Sequence, residues 1–332
     1  MLAMPRERHW LLSFFIKTTL QLLPTLIGIL LIMFIILKAI PGDAVDVMAG
    51  ESGGASAASM ALMREQYGLN LPAWQQFIHW ISHIAQGNLG FSPRFNTPVT
   101  TLILSRLPAT LLLMLAAQAL ALIGGIICGV IMALFVGRWP DRGLSLFSLL
   151  LYSLPGFWIG LMLLVLFSVH LGWLPSSGNM TIGANYHGWD KFKDLLSHAL
   201  LPVFSLASFF LAIYARLTRA AMLEIAHQDF VRTAHAKGIS PLRVTVVHVL
   251  RCALIPVVTV SGMHIATLLS GAAVVETVFS WPGLGRLALD AVMARDVNIL
   301  LGILLFSSLL VLLANFIVDL LHAWLDPRIV RN

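Results

Sequence analysis

The stretch Pro108-ATLLLMLAAQALALIGGIICGVIMALF-Val136 contains no Asp, Glu, Lys or Arg. A hydrocarbon core about 30 Å thick is crossed by roughly 20 helical residues, so this stretch is long enough to span one. Outward from it, five further apolar stretches lie at about 20–40, 144–169, 200–217, 255–278 and 299–319. Backbone amides in lipid must find partners within their own segment, and no barrel-type alternation is visible, so these stretches are helices. The sequence therefore predicts an all-α, polytopic membrane protein with about six transmembrane helices. Pro155 and Pro202 mark places where a kink or a helix start is expected.

Composition leads to the same class. The 332 residues are 58% hydrophobic and only 11% charged, whereas soluble domains carry about a quarter charged residues. Lipid must therefore be the solvent for much of the apolar surface. The net charge of +6 arises from 21 basic residues scattered between apolar blocks, which form no basic face for nucleic acid. Cys128 and Cys252 lie in or beside apolar segments and read as reduced bystanders. Arg6, Arg8 and Lys17 precede or open the first apolar run, and no small-residue cleavage site follows it, so an uncleaved first helix is expected.

Basic residues also set an orientation. The N-terminus, the Arg138/Arg142 turn and the tail with Arg328 and Arg331 are basic. So is the 216–251 connection, with Arg216, Arg219, Arg232, Lys237, Arg243 and Arg251. By the positive-inside rule these regions and both termini are expected on the cytoplasmic side, with loops 41–107, 170–199 and 279–298 outside. In the first external loop, the segment from Pro72 places Trp74, Phe77, Ile78, Ile81 and Ile84 at helical spacing. An amphipathic helix lying at the interface is expected there, for packing on the membrane domain or for docking a partner. Gly125-x-x-x-Gly129 permits close helix contact.

The connection Met222-LEIAHQDFVRTAHAKGISPLRVTVVHVLRCALIP-Val257 is too long and too patterned for a simple link. It reads as helix, sharp turn, helix: Gly238 ends the first, Ser240 can cap the second, and Pro241 suits its first turn. The stretch resembles the cytoplasmic loop of ABC-importer permeases, whose pattern is Glu-Ala-Ala, three residues, Gly, nine residues, Ile-x-Leu-Pro. Gly238 takes the glycine position, and Arg232-Thr233-Ala234 stands at Glu-Ala-Ala. His248 and Leu250 take the Ile and Leu positions, with Arg251 in place of the proline. Arg-Thr-Ala-x-Ala-Lys-Gly, with Lys237 before the glycine, resembles the variant in dipeptide, oligopeptide and nickel permeases. Ile40-PGDAVDVMAG-Glu51, Tyr67-GLNLPAWQQFIHW-Ile81, Gly87-NLGFS, Val275-ETVFSWPGLGRLALDA-Val292 and Leu325-DPR-Ile329 are similar to further segments of those proteins, in the same order.

The resemblance implies a type I ABC importer permease in a bacterial inner membrane. Residues 1–97 would form the first helix and an external loop, and 98–325 a five-span permease domain with its coupling loop at about 220–252. Residues 326–332 would form a cytoplasmic tail. The helix before Gly238 would sit in a cleft on a cytoplasmic ATPase. Implied partners are a second, homologous permease, two ATPase subunits that bind the ATP, and an extracytoplasmic solute-binding protein. The chain itself has no G-x-x-x-x-G-K-[ST] and is expected to be a transport subunit without enzyme activity or cofactor of its own.

Ionisable groups within spans are costly and each is a functional candidate. His264, flanked by Met263, could line the translocation path or bond to a neighbouring helix; Glu276 could act as a gate or pack at the interface. Asp319, near the inner end of the sixth span, is expected to make a structural pair. The 11 histidines are dispersed, without zinc-type spacing, and the His79/His83 pair alone is read as a solvated face. Cargo stays open between short peptides and nickel or other metal chelates, the short third-to-fourth loop leaning towards metal. An ATP-independent channel or secondary carrier gives no reason for the long patterned loop. A membrane-embedded enzyme would need a nucleophile and base, or a metal set, which the sequence does not show.

Overall fold

The computed structural model describes residues 7–39, 57–66, 70–92 and 94–325. In chain order the helices are α1 (Glu7–Ala39), α2 (Ala57–Gln66), α3 (Ala73–Ala85) and α4 (Val99–Leu134), with a two-stranded hairpin β1 (Phe91–Ser92) and β2 (Thr97–Pro98) before α4. Then follow α5 (Trp139–Ser153), α6 (Gly156–His170), α7 (Gly188–Ala226) and α8 (Asp229–Ala236). The last are α9 (Pro241–Met263), α10 (Ile265–Val278), α11 (Leu284–Ala294) and α12 (Val297–Leu325). The segment Ile40–Glu51 and the tail beyond Leu325, both used for the resemblance, lie outside the described residues, as does the side chain of Asp319.

Four of these helices contain a segment long and apolar enough to cross a membrane: Val99–Leu134, Gly188–Ala226, Pro241–Met263 and Val297–Val318. With α1 and the α5–α6 pair they account for the six expected apolar segments, but two of the expected spans need correction. The third is not straight: α5 and α6 meet at 107°. Pro155 disfavours helical backbone in the residue before it, and Leu154 is accordingly extended at φ −97, ψ 138. The fifth begins much earlier than residue 255. Pro241 starts a helix that continues through a π-helical stretch, Val244–Val249, to Met263 and restarts at Ile265.

The chain divides into two compact units, 1–105 with 288–312 and 106–287 with 313–332. In the first, Phe77, Trp80, Ile81 and Ile84 of α3 pack on Leu30 and Met33 of α1 and on Leu301 and Leu305 of α12. Trp74 and Ile78, on the other face of α3, remain exposed. The packing role expected for this amphipathic helix is therefore filled by one of its faces. Asp296 caps α12 by accepting from the Ile299 N–H (3.2 Å), and its other oxygen accepts from the Ser92 hydroxyl at 2.6 Å, tying the hairpin to that cap.

In the second unit α7 is the central helix, with 67% of its most apolar window buried in protein. Lipid tails are as apolar as leucine, so helices here associate through close fit rather than escape from water. Gly125 and Gly129 supply that fit. A Cβ on Gly125 would stand 2.6 Å from the Tyr214 Cβ, and one on Gly129 2.6 Å from the Ala215 carbonyl. The α6 start is fixed the same way: the Ser205 hydroxyl of α7 donates to the Gly156 carbonyl at 2.8 Å, and Gly160 lies against the Ser205 side chain.

Candidate functional site

The connection after α7 folds into three pieces rather than the expected two. α7 ends at Ala226, the chain turns through His227 and Gln228, and the eight-residue α8 follows. Val231 and Ala234 are buried, in one apolar cluster with Ala221 and Met222 of α7 and Val244, Val249 and Ala253 of α9; Val130 and Ala133 at the end of α4 pack against it. The opposite face, with Asp229, Phe230, Arg232, Thr233 and His235, is exposed. Arg232 is 74% exposed and makes a 3.6 Å ion contact with Asp229 one turn back. A single short helix is thus glued to the domain by two residues and presents a mixed polar and aromatic face outward.

Gly238 shapes the exit from α8. Its φ is +73, the left-handed region that a side chain disfavours. The Gly238 N–H donates to the His235 carbonyl (2.9 Å) and the Ile239 N–H to the Ala234 carbonyl (3.3 Å), the paired bonds of a Schellman motif. Ile239 packs on the apolar cluster as that motif's hydrophobic contact. Lys237 is the exposed C-cap. Ser240 does sit at the N-cap of the next helix with Pro241 following, but its side chain makes no capping bond; its carbonyl receives the Val244 N–H at 3.0 Å. His248 is half-buried within the π-helical stretch, and Leu250 packs on the cluster below α8.

His264 occupies the break between α9 and α10. Its Nδ1 lies 3.3 Å from the hydroxyl of Tyr214, which is fully buried on α7. The Gln118 amide donates to that hydroxyl at 3.3 Å and to the Ser261 carbonyl at 3.0 Å. The Tyr214 hydroxyl also lies 3.5 Å from Gln118 Oε1, so Gln118, Tyr214 and His264 form one polar run from α4 through α7 to the break between α9 and α10. The ring also packs against Phe210, with centroids 5.2 Å apart. His264 contacts a neighbouring helix and also lines an open cleft of about 750 Å³ with Met132, Tyr152, Arg216 and Arg219. Met263 beside it is exposed.

Glu276 is elsewhere and fully buried. Its carboxylate accepts from the Thr110 hydroxyl (2.6 Å) and from the Gly285 and Arg286 N–H groups (2.7 and 3.3 Å) at the start of α11. Thr110 in turn accepts the Leu284 N–H at 2.8 Å. The side chain caps the start of α11 and holds the 279–286 turn on α4. Trp281 fixes the same turn by donating to the Ala109 carbonyl at 2.9 Å. His79 and His83 are both exposed on α3, and no group of three or more His, Cys, Asp or Glu that could hold a metal occurs among the described residues.

Sequence reading passed over Asp141. It is 4% exposed and takes a two-pronged ion pair from Arg219, Nε to Oδ1 at 2.8 Å and Nη2 to Oδ2 at 2.9 Å. The one available signal was a lone acidic residue between Arg138 and Arg142 in a basic turn.

Residues 125–331 match the family of binding-protein-dependent transport system inner membrane components, and residues 11–114 match the N-terminal part of such components. The chain is 42% identical to the di/tripeptide transport system permease protein DppB of Pseudomonas aeruginosa, over 96% of this chain and 99% of the relative. It is 40% identical, with the same coverage, to the oligopeptide permease protein AppB of Bacillus subtilis and to the glutathione permease protein GsiC of Escherichia coli K12. Among solved structures, a chain of the MetNI methionine ABC transporter in an inward-facing form matches with TM-score 0.54 at 18% identity, over 68% of this chain and 96% of that one. At that identity the likeness bears on the fold alone. Membership of this family implies ATPase subunits and a solute-binding protein as partners. The chain belongs to the binding-protein-dependent inner membrane components: it is a multi-pass permease subunit of an ATP-driven importer.

Proposed function

We propose that this permease imports short peptides and that α8 is the helix through which ATPase movement reaches it. The carrying observation is the form of α8: anchored by Val231 and Ala234, stopped by a Schellman turn at Gly238, and exposed along its outer face. That face is short and, among the described residues, not covered by the chain itself, which suits insertion into a cleft on another subunit. Arg232, Thr233 and Lys237 offer the polar contacts, Ala234 and Leu250 join the helix to the domain, and His248 belongs to the helix that follows. In this reading ATP is bound by the partner subunits, and the loop and both termini face the cytoplasm, where basic residues concentrate. A second permease of the same fold pairs with this one. Residues 1–97 are an extension to the path-forming domain, and His264 and Met263 contribute to the path.

Peptide cargo is favoured over metal chelates because relatives at 40–42% identity over nearly the whole length are permeases for di/tripeptides, oligopeptides and glutathione. The lean towards metal drawn from the short third-to-fourth connection has no counterpart in those names. The test uses the assembled importer in liposomes, with hydrolysis stimulated by binding protein carrying short peptides or nickel chelates. Peptide should stimulate and nickel chelates should not. Gly238→Val should then insert normally but co-purify less ATPase, or hydrolyse without peptide-driven uptake. Undiminished docking together with normal uptake in that variant sinks the assignment of α8.

A further inference from the structure

We infer that Asp141 and Arg219 form a latch, closed throughout the transport cycle, that makes the α4–α5 turn move with α7 and α8. The inference rests on α8 as the ATPase contact.

Asp141 stands in the first turn of α5, and its carboxylate oxygens are fully engaged. Besides the two Arg219 bonds, the Gly137 N–H donates to Oδ2 at 2.9 Å and the Ser145 hydroxyl reaches Oδ1 at 3.4 Å. Asp141 is buried but the Arg219 side chain is 31% exposed, and ion pairs open to water are worth little, so stability alone is a poor reason for the pair's presence. What a bidentate guanidinium–carboxylate pair adds is direction, because two parallel bonds fix relative orientation as well as distance.

The surroundings show where that direction acts. Arg219 lies just before Ala221 and Met222, which pack on Val231 and Ala234 of α8. The end of α4, through Val130 and Ala133, packs on the same cluster. The α4–α5 turn is therefore joined to the α7–α8 region twice, once by apolar contact, which can slide, and once by the ion pair, which cannot. Further along α5, Tyr152 stacks on Phe209 of α7 (5.2 Å) and carries Arg216 over its ring (5.8 Å). Tyr152, Arg216 and Arg219 line the cleft that His264 faces. A push on α8 is thus carried by α7 to Arg219 and by Arg219 to α5, whose inner face forms a wall of the cleft. Without the pair α5 can lag, and ATP is hydrolysed with the cleft unchanged.

The test places cysteines at both positions, D141C with R219C, in a background where Cys128 and Cys252 are serine. The importer is assembled with its partner permease, ATPases and binding protein in liposomes and measured before and after joining the two thiols with a short bifunctional methanethiosulfonate. Reduced, it should co-purify its ATPases and hydrolyse ATP, but peptide uptake per ATP should fall at least about fivefold, the lower end of typical coupling between sites. Cross-linked, the same preparation should recover most of that loss. As a second arm, the exchange D141R with R219D should transport better per ATP than D141N or R219Q alone. Unchanged uptake per ATP in the reduced protein, failure to assemble, or no recovery on cross-linking with no rescue by the exchange would each overturn the latch. Failure of α8 docking is read separately, from ATPase co-purified with Gly238→Val.

Discussion

At Gly238 the backbone is left-handed but the space around it is open, since a Cβ there would meet nothing within 4 Å. The defect of a substitution is therefore one of dihedral angle and stays local. Alanine pays about 1–2 kcal/mol for the left-handed conformation, and valine lies toward the upper part of the roughly 1–3 kcal/mol range for such strain. Uptake should fall in the order Gly, Ala, Val, with membrane insertion unchanged in all three. His264 offers a second test at this scale, because its Nδ1 meets the Tyr214 hydroxyl and its ring lines the cleft. His264→Phe keeps an aromatic body against Phe210 but no donor. Losing one hydrogen bond of about 0.5–1.5 kcal/mol from the path should slow uptake roughly 2- to 12-fold while ATPases still co-purify. Uptake at the wild-type rate in His264→Phe would return the residue to packing alone.

At the scale of elements, the contact of α4 with α7 depends on missing side chains. Gly129→Val would drive a branched side chain into Thr218 and the Ala215 carbonyl. Overpacking of this kind costs typically about 1–3 kcal/mol and can exceed it between backbones, so the folded yield and the melting temperature in detergent should both drop. Gly143→Val on α5, where nothing lies within 4 Å, is the matched control and should fold normally. Hydropathy made the apolar segments legible, since the absence of charge over a span's length needs no tertiary information. It could not give the 107° turn at Pro155, because the angle depends on where Ser205 of another helix meets Gly156. Ser240 and Pro241 marked the start of α9 but not its continuity into the fifth span, because Val244–Val249 reads equally well as an apolar loop segment and as a helix running on into a span. The turn at Gly238 was legible for the opposite reason: a local backbone need selects its residue. Asp141 and Arg219 were not, because 78 positions separate them and each looks like an ordinary loop charge.

For the whole molecule, α7 sets the reach. Its 39 residues make a helix of about 58 Å at 1.5 Å per residue, well beyond a hydrocarbon core of about 30 Å. One end can therefore lie in the membrane-spanning core while the other carries Arg219 and the base of α8 out of it. On the opposite side of the proposed topology, the 171–187 connection exposes Trp173. The measurement that bears most directly on this scheme is site-directed cross-linking in membranes holding the complete importer. Single cysteines replace Arg232 on α8 or Trp173 in that connection, with Cys128 and Cys252 changed to serine. The expected result is a cross-link from position 232 to an ATPase subunit that changes in yield with ATP, none from position 173 to an ATPase, and no labelling of position 232 by an impermeant thiol reagent outside sealed cells. An ATPase cross-link from position 173 instead of 232, or ready labelling of position 232 from outside, would contradict it.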